Sequence, residues 1–448
     1  MMRRILGDPP LMIILSFAIA ICAGTLILKL PFATHNGISL IDALFTITSA
    51  TCVTGLIVVD TATYFTIWGK IIILIFIQIG GLGILTLSTM FMGILSGRIG
   101  ISGRGFISES LTQDFVLDFY KFLKRLIYFV TGIEVLGAVL LFIFFIRTED
   151  FIKSIWLSIF HSISAFCNAG FSLFSDSLEP FRGSIHLNIV IMVLIICGGL
   201  GFVVINELYE ILKTKKIQLS FHSKVVLSTT LCLILFGACF IFFIEQNYSF
   251  FNFTFKEKIL SSFFQSVTAR TTGFNTVPVY LLKEATALIL ITLMFIGGSP
   301  GSTAGGIKTT SFAIFFSLII SRIRGRPRPE LLRRTVSKQT VERVFTLILI
   351  SLLILTLCIF ILLLSEIETV SHKTNSNFFL SVIFEAFSAF GTVGLSLGIT
   401  QYLTNLGKLV IIILMFIGRT GPLTLAILMM QGKEELEFQY PEEEIMIG

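Results

Sequence analysis

The chain has 448 residues, of which 54% are hydrophobic and only 13% charged, where soluble domains carry roughly 25%; its mean hydropathy is +0.93. So few charges could not solvate the two or three soluble domains that this length permits, and the composition specifies a polytopic protein of the lipid bilayer. The net charge of +6 is interleaved with apolar runs and not gathered on one face, which argues against a nucleic-acid partner, and seven cysteines with no C-x-x-C pair give neither a zinc site nor a disulfide framework.

An apolar run over 11–30 has the length, about 20 residues, that a ~30 Å hydrocarbon core needs. It outruns the apolar region of a secretory signal and is read as a first span. The amphipathic run 39–52 is too short to cross. It ends in Ser49-Ala50-Thr51-Cys52-Val53-Thr54-Gly55, and a long apolar helix over 67–95 follows. The same unit of span, half-length helix, glycine loop and span then recurs three times. Span 126–146 leads to half-helix 151–167 and span 187–212. Span 225–244 leads to half-helix 255–269 and an interrupted span over 285–321. Span 345–364 leads to half-helix 377–390 and span 406–430.

The later loops read Ser164-Ala165-Phe166-Cys167-Asn168-Ala169-Gly170, then Thr268-Ala269-Arg270-Thr271-Thr272-Gly273, which is one residue shorter, and Ser388-Ala389-Phe390-Gly391-Thr392-Val393-Gly394. Phe45, Phe160, Phe264 and Phe384 precede them at a fixed offset. A second glycine marker follows each loop, at Gly80-Gly81, Gly198-Gly199, Gly297-Gly298 and Gly418-Arg419, where small residues let backbones approach closely. The pattern predicts an all-α polytopic membrane protein of four membrane-pore-membrane repeats, with eight transmembrane helices and four half-length pore helices around one pore. The repeats cover 1–97, 98–214, 215–325 and 326–448, the last including a C-terminal tail. With the glycine loops facing outward, the inner segments carry about twice the Lys and Arg of the outer ones, which puts both termini in the cytoplasm.

Irregular backbone at membrane depth is tolerated only where protein buries it or water fills it. Four such loops around one axis can aim carbonyl oxygens inward and replace the hydration shell of an alkali cation. Glycine suits the loop because a Cβ would obstruct the conformations required, and each half-helix points its negative C-terminal end at the cation. The candidate ion-binding residues are Cys52, Val53, Thr54 and Gly55; Cys167, Asn168, Ala169 and Gly170; Thr271, Thr272 and Gly273; and Thr392, Val393 and Gly394.

With these four motifs the chain resembles, over nearly its whole length, the membrane subunit of the Trk/Ktr/HKT superfamily of potassium transporters. It is most similar to the KtrB type, since it starts directly at the first span. The resemblance implies potassium selectivity, because all four filter positions are glycine and not serine. It also implies a homodimer of the cell (plasma) membrane, seated on a cytoplasmic ring of nucleotide-binding regulatory subunits of the KtrA type. Nucleotide would then act only through that subunit, and the basic inner segments would dock it.

In the third unit, Gly297, Gly298, Ser299, Pro300, Gly301, Ser302, Thr303, Ala304, Gly305, Gly306, Ile307 and Lys308 cannot continue a helix. This loop resembles the intramembrane gate of the family. Gly301 to Thr309 only approximates a phosphate-binding loop, since the lysine is displaced and no strand precedes it. Arg419, deep in a span, is costly unless functional, and the resemblance identifies it with the pore arginine that works with the gate. Arg270 and Glu385 are expected to pair behind the loops as scaffold, and Glu134 and Glu207 to serve packing or subunit contacts. A sodium-coupled potassium symporter using the same pore is the alternative reading. The absence of an intramembrane aspartate pair argues against an enzyme.

Overall fold

The structure is a computed structural model that describes residues 9–95, 110–214, 219–326, 328–367 and 377–421. Both termini, the acidic stretch 434–444 and the end of the last expected span lie outside these residues. The described chain is almost entirely helical, with helices α1 (Pro9–Leu28), α2 (Leu40–Thr51), α3 (Ile67–Leu95), α4 (Ser110–Phe145), α5 (Phe151–Phe166), α6 (Ile185–Leu200), α7 (Phe202–Thr214) and α8 (Phe221–Glu245). Helices α9 (Phe255–Thr268), α10 (Glu284–Phe295), α11 (Thr309–Ile323), α12 (Lys338–Glu366), α13 (Phe378–Gly391) and α14 (Asn405–Thr420) complete it.

Among the described residues, three helical segments are long and apolar enough to cross a bilayer: Lys124–Phe145, Phe221–Glu245 and Lys338–Glu366. The pair α6 and α7 makes a fourth if its bend of 107° is counted within one span. Helix α12 shows the lipid-facing pattern best. One stripe, Val344, Ile348, Ser351, Leu355, Cys358 and Leu362, is buried, whereas Leu353, Leu357, Phe360 and Leu364 are exposed. A helix apolar all round, with only one stripe covered by protein, belongs in hydrocarbon.

The four short helices each stop at a loop, and two of them, α2 and α9, begin with a side-chain cap. Ser39 accepts from the Asp42 amide, and Thr254 with Glu257 forms a reciprocal capping box. At 12 to 16 residues they are too short to cross a ~30 Å hydrocarbon core, at about 1.5 Å per residue. Phe45, Phe160, Phe264 and Phe384 are all fully buried, which explains their fixed offset.

One element differs from expectation. The expected continuous helix over 187–212 breaks at Gly201, whose φ is +84°. The physical reason is tertiary: the Gly198 and Gly199 carbonyls freed by the break accept from the Thr303 amide (3.1 Å) and the Ser299 amide (3.0 Å), and the Phe202 amide donates to the Gly301 carbonyl (3.0 Å). The basic connector after α11 forms a two-stranded hairpin, Glu330–Leu331 against Arg334–Thr335, turning through Leu332 and Arg333 at positive φ.

Candidate functional site: a ring of four glycine loops

Each short helix ends in the same backbone turn. The residue two before the glycine has positive φ (Val53 +55°, Asn168 +62°, Thr271 +78°, Thr392 +51°), and so does the glycine (Gly55 +92°, Gly170 +67°, Gly273 +90°, Gly394 +92°). For a β-branched valine or threonine this conformation is strained, so the surroundings must impose it. They do so through the Ser/Thr that opens each motif. The amides of Thr54, Ala169 and Val393 donate to the carbonyls of Ser49, Ser164 and Ser388 at 2.7, 2.7 and 2.8 Å, and in the shorter third loop Thr272 donates to Thr268 at 3.0 Å. The hydroxyls act too. Ser49 and Ser388 accept from the amides of Gly55 (3.0 Å) and Gly394 (3.1 Å), while Ser164 and Thr268 donate to the carbonyls of Phe171 (2.9 Å) and Phe274 (2.6 Å). The recurrence of Ser49, Ser164, Thr268 and Ser388 at one place in each motif is the sequence signal for this role.

The four turns close on one another. A β-carbon placed on Gly55 would overlap the Ala169 carbonyl oxygen; on Gly170, that of Thr272; on Gly273, that of Val393; and on Gly394, that of Thr54. The cycle returns to its start, so four carbonyl oxygens and four glycine α-carbons ring one axis. Outside the ring opens a cavity of about 280 Å³, whose lining includes the four glycines with Asp60 and Glu179. The hydroxyls of Thr51, Thr54, Thr271 and Thr392 are buried without a hydrogen-bond partner.

The remaining expected residues divide. Cys52 and Cys167 cap their helices, and the Cys167 thiol lies 3.5 Å from Gln78 Oε1 of α3. Arg270 and Glu385 do not pair, contrary to expectation. Arg270 donates to the carbonyls of Thr230 (3.5 Å) and Gly297 (3.4 Å), because it sits at the end of α9 facing α8. Glu385 accepts from the hydroxyls of Ser396 (2.7 Å) and Thr400, as His161 meets Ser172 Oγ at 3.2 Å; both hold the segment that leaves a glycine. Glu134 accepts from Gln78 at 3.1 Å, which is a packing role, and Glu207 accepts from the Ser220 amide at 3.1 Å.

Residues 297–308 form the irregular loop between α10 and α11. Its ends pair with each other through the Gly297 amide and the Ile307 carbonyl (2.8 Å). Gly305 lies against the Thr392 side chain and Gly297 near Thr271, so the loop is seated directly beneath the turns. Arg419 donates to the carbonyls of Thr303 and, at 2.7 Å, Gly80, and Lys308 donates to the Ala304 carbonyl at 2.7 Å. Both cations therefore lie against the loop.

The sequence profile of the TrkH family, described as cation transport protein, matches residues 11–436. The chain is 40% identical over 447 residues to the potassium/sodium uptake protein NtpJ of Enterococcus hirae, covering 98% of this chain and 97% of that one. It is 38% identical to the Ktr system potassium uptake protein B of Bacillus subtilis, with 98% and 97% covered. The crystal structure of the potassium transporter TrkH from Vibrio parahaemolyticus superposes with a TM-score of 0.72 at 20% identity, over 94% of this chain and 84% of that one.

Proposed function

Since this chain belongs to the TrkH family of cation transport proteins, as a multi-pass membrane protein of the KtrB type, we propose that it takes up potassium through the glycine ring. The closed cycle of four carbonyl-lined turns is the observation that carries this reading. Carbonyl oxygens at fixed spacing replace the water of an alkali cation. Threonine hydroxyls with no protein partner supply further oxygens, and the four half-helices aim their negative ends inward.

Below the ring, the loop 297–309 obstructs the path, and Arg419 adds a positive barrier to cation passage. Cytoplasmic control then consists of moving this loop. By resemblance, the mover is a nucleotide-binding ring of the KtrA type beneath a homodimer, with both termini on that side. The name of the Bacillus subtilis relative, a Ktr system protein B, supports a companion component. A second reading, sodium-coupled uptake through the same pore, is favoured by the name of the Enterococcus hirae relative, a potassium/sodium uptake protein.

The test is rubidium uptake into liposomes that hold the full chain, with potassium, sodium or no competitor outside. Potassium competes and sodium does not if the glycine ring selects as proposed. Equal competition overturns potassium selection, and uptake that stops when sodium is withdrawn favours the coupled reading.

A further inference from the structure

The loop 297–308 is held at two points by buried guanidinium groups, those of Arg419 and Arg270. Arg419 bridges the Gly80 carbonyl of α3 to the Thr303 carbonyl of the loop, and its Nε has no partner. Arg270 repeats the arrangement on the opposite flank. It bridges the Thr230 carbonyl of α8 (3.5 Å) to the Gly297 carbonyl, the first of the loop (3.4 Å), and its Nε is likewise unpartnered. Arg270 is 8% exposed. It follows the C-terminus of α9, where the helix end favours a cation.

The two clamps differ in tightness. Arg419 reaches Gly80 at 2.7 Å, whereas both Arg270 bonds are at the long end for an N–H···O contact. Beside Arg270 lies a void of about 10 Å³ between Gly199, Gly298, Thr230 and the guanidinium, about the space of one water. The Thr230 hydroxyl, which has no partner, also belongs to its lining. A buried guanidinium with a spare donor is costly, so a loop displacement that admits water at this corner loses little there. At Arg419, which is anchored on α3 through Gly80, the same displacement breaks a charge-assisted bond to the Thr303 carbonyl.

We propose that Arg270 is a positioning residue that sets the resting place of the loop, and that the Gly297 end, held by Arg270, releases before the Thr303 end, held by Arg419. Arg270 contacts no permeating ion in this scheme; it acts through the Gly297 carbonyl. The inference rests on the gating reading of the loop given above.

The experiment uses the full chain in liposomes with Arg270→Lys and Arg270→Gln, each alone and combined with deletion of Gly298 to Gly306. Lysine keeps the charge but cannot bridge two carbonyls as a planar fork does, so it preserves the fold if glutamine does not. Expected are a rise in basal rubidium flux on the order of tenfold, unchanged potassium-over-sodium competition, and no further rise in the deletion background. Hydrogen exchange at the amides of Gly297 and Ser299 accelerates in Arg270→Lys, more than at Thr303. Lost potassium preference with unaltered exchange overturns the proposal and makes Arg270 a support of the glycine turn. Unaltered flux and exchange also overturn it. If the deletion alone leaves flux unchanged, the gating reading fails, while the exchange pattern still decides the clamp by itself.

Discussion

At Gly55 the φ of +92° and the Ala169 carbonyl act on the same atom position. Any side chain there meets a left-handed strain of roughly 1–2 kcal/mol and displaces the neighbouring turn. Gly55→Ser is therefore expected to lower potassium preference over sodium on the order of tenfold, since each ~1.4 kcal/mol is a factor of ten. Competition of both ions against rubidium uptake measures it, and an unaltered ratio removes Gly55 from the selecting ring. Glu179 governs a different property. It lines the outer cavity, and burial, then the neighbouring Asp176 carboxylate, raise its pKa to about 7 against the opposing pull of Arg182 and of the Asn275 amide. Arg182 is shared with Glu257 at 3.6 Å. Below the raised pKa Glu179 is neutral; above it the mouth gains a negative charge that concentrates cations. Uptake at low potassium should accordingly rise between about pH 6 and 8, and Glu179→Gln should flatten that rise.

Identical local sequence yields opposite elements in this chain. Gly80-Gly81-Leu82-Gly83 lies inside the unbroken α3, whereas Gly198-Gly199-Leu200-Gly201 ends α6 in a sharp bend. The difference lies in the partner. Gly80 packs on the Thr51 carbonyl and leaves the helix ladder intact, while residues 299–303 compete for the carbonyls of Gly198, Gly199 and Leu200. Periodicity and spacing revealed the four turns, the short helices and the interruption at 297–308, because each leaves a compositional mark. They could not reveal the bend at Gly201, which depends on contacts from residues 299–303, or the separation of Arg270 from Glu385, since Thr230 and Gly297 reach the one and Ser396 and Thr400 the other, contacts that leave no mark in spacing or composition. Gly201→Ala is expected to lose about 1–2 kcal/mol from strain at φ +84°, with added overlap against the Pro300 and Gly301 carbonyls. Thermal unfolding in detergent checks the stability. Basal rubidium flux should rise as well, because the loop loses its seat; an unchanged flux would separate the bend from the gate.

At the scale of the molecule, a ring made from one chain must be closed by its ends. The first and fourth units meet where α14 packs against α2. Gly394 abuts the Thr54 carbonyl in the ring itself, and Lys408 Nζ lies 2.6 Å from Asp42 Oδ1 at the outer end of the seam. The two side chains are only 14% and 22% exposed, so this pair is screened less than a surface ion pair. Asp42 also receives the Ser39 hydroxyl at 2.7 Å, in the cap that starts α2, which couples the seam to the half-helix leading into Gly55. Lys408→Met and Asp42→Asn should each lower thermal stability by on the order of 1 kcal/mol, with a double variant no worse than the weaker single one, because the second change removes a charge already left unpaired. If the seam fixes ring diameter, both single variants also admit more sodium, and Glu149→Gln, which removes the exposed ion pair with Lys153 far from the seam, does not. Stability loss with selectivity intact would mean that the ring is set by the four Ser/Thr tethers alone, each within its own unit, and that closure of the chain only holds the units together.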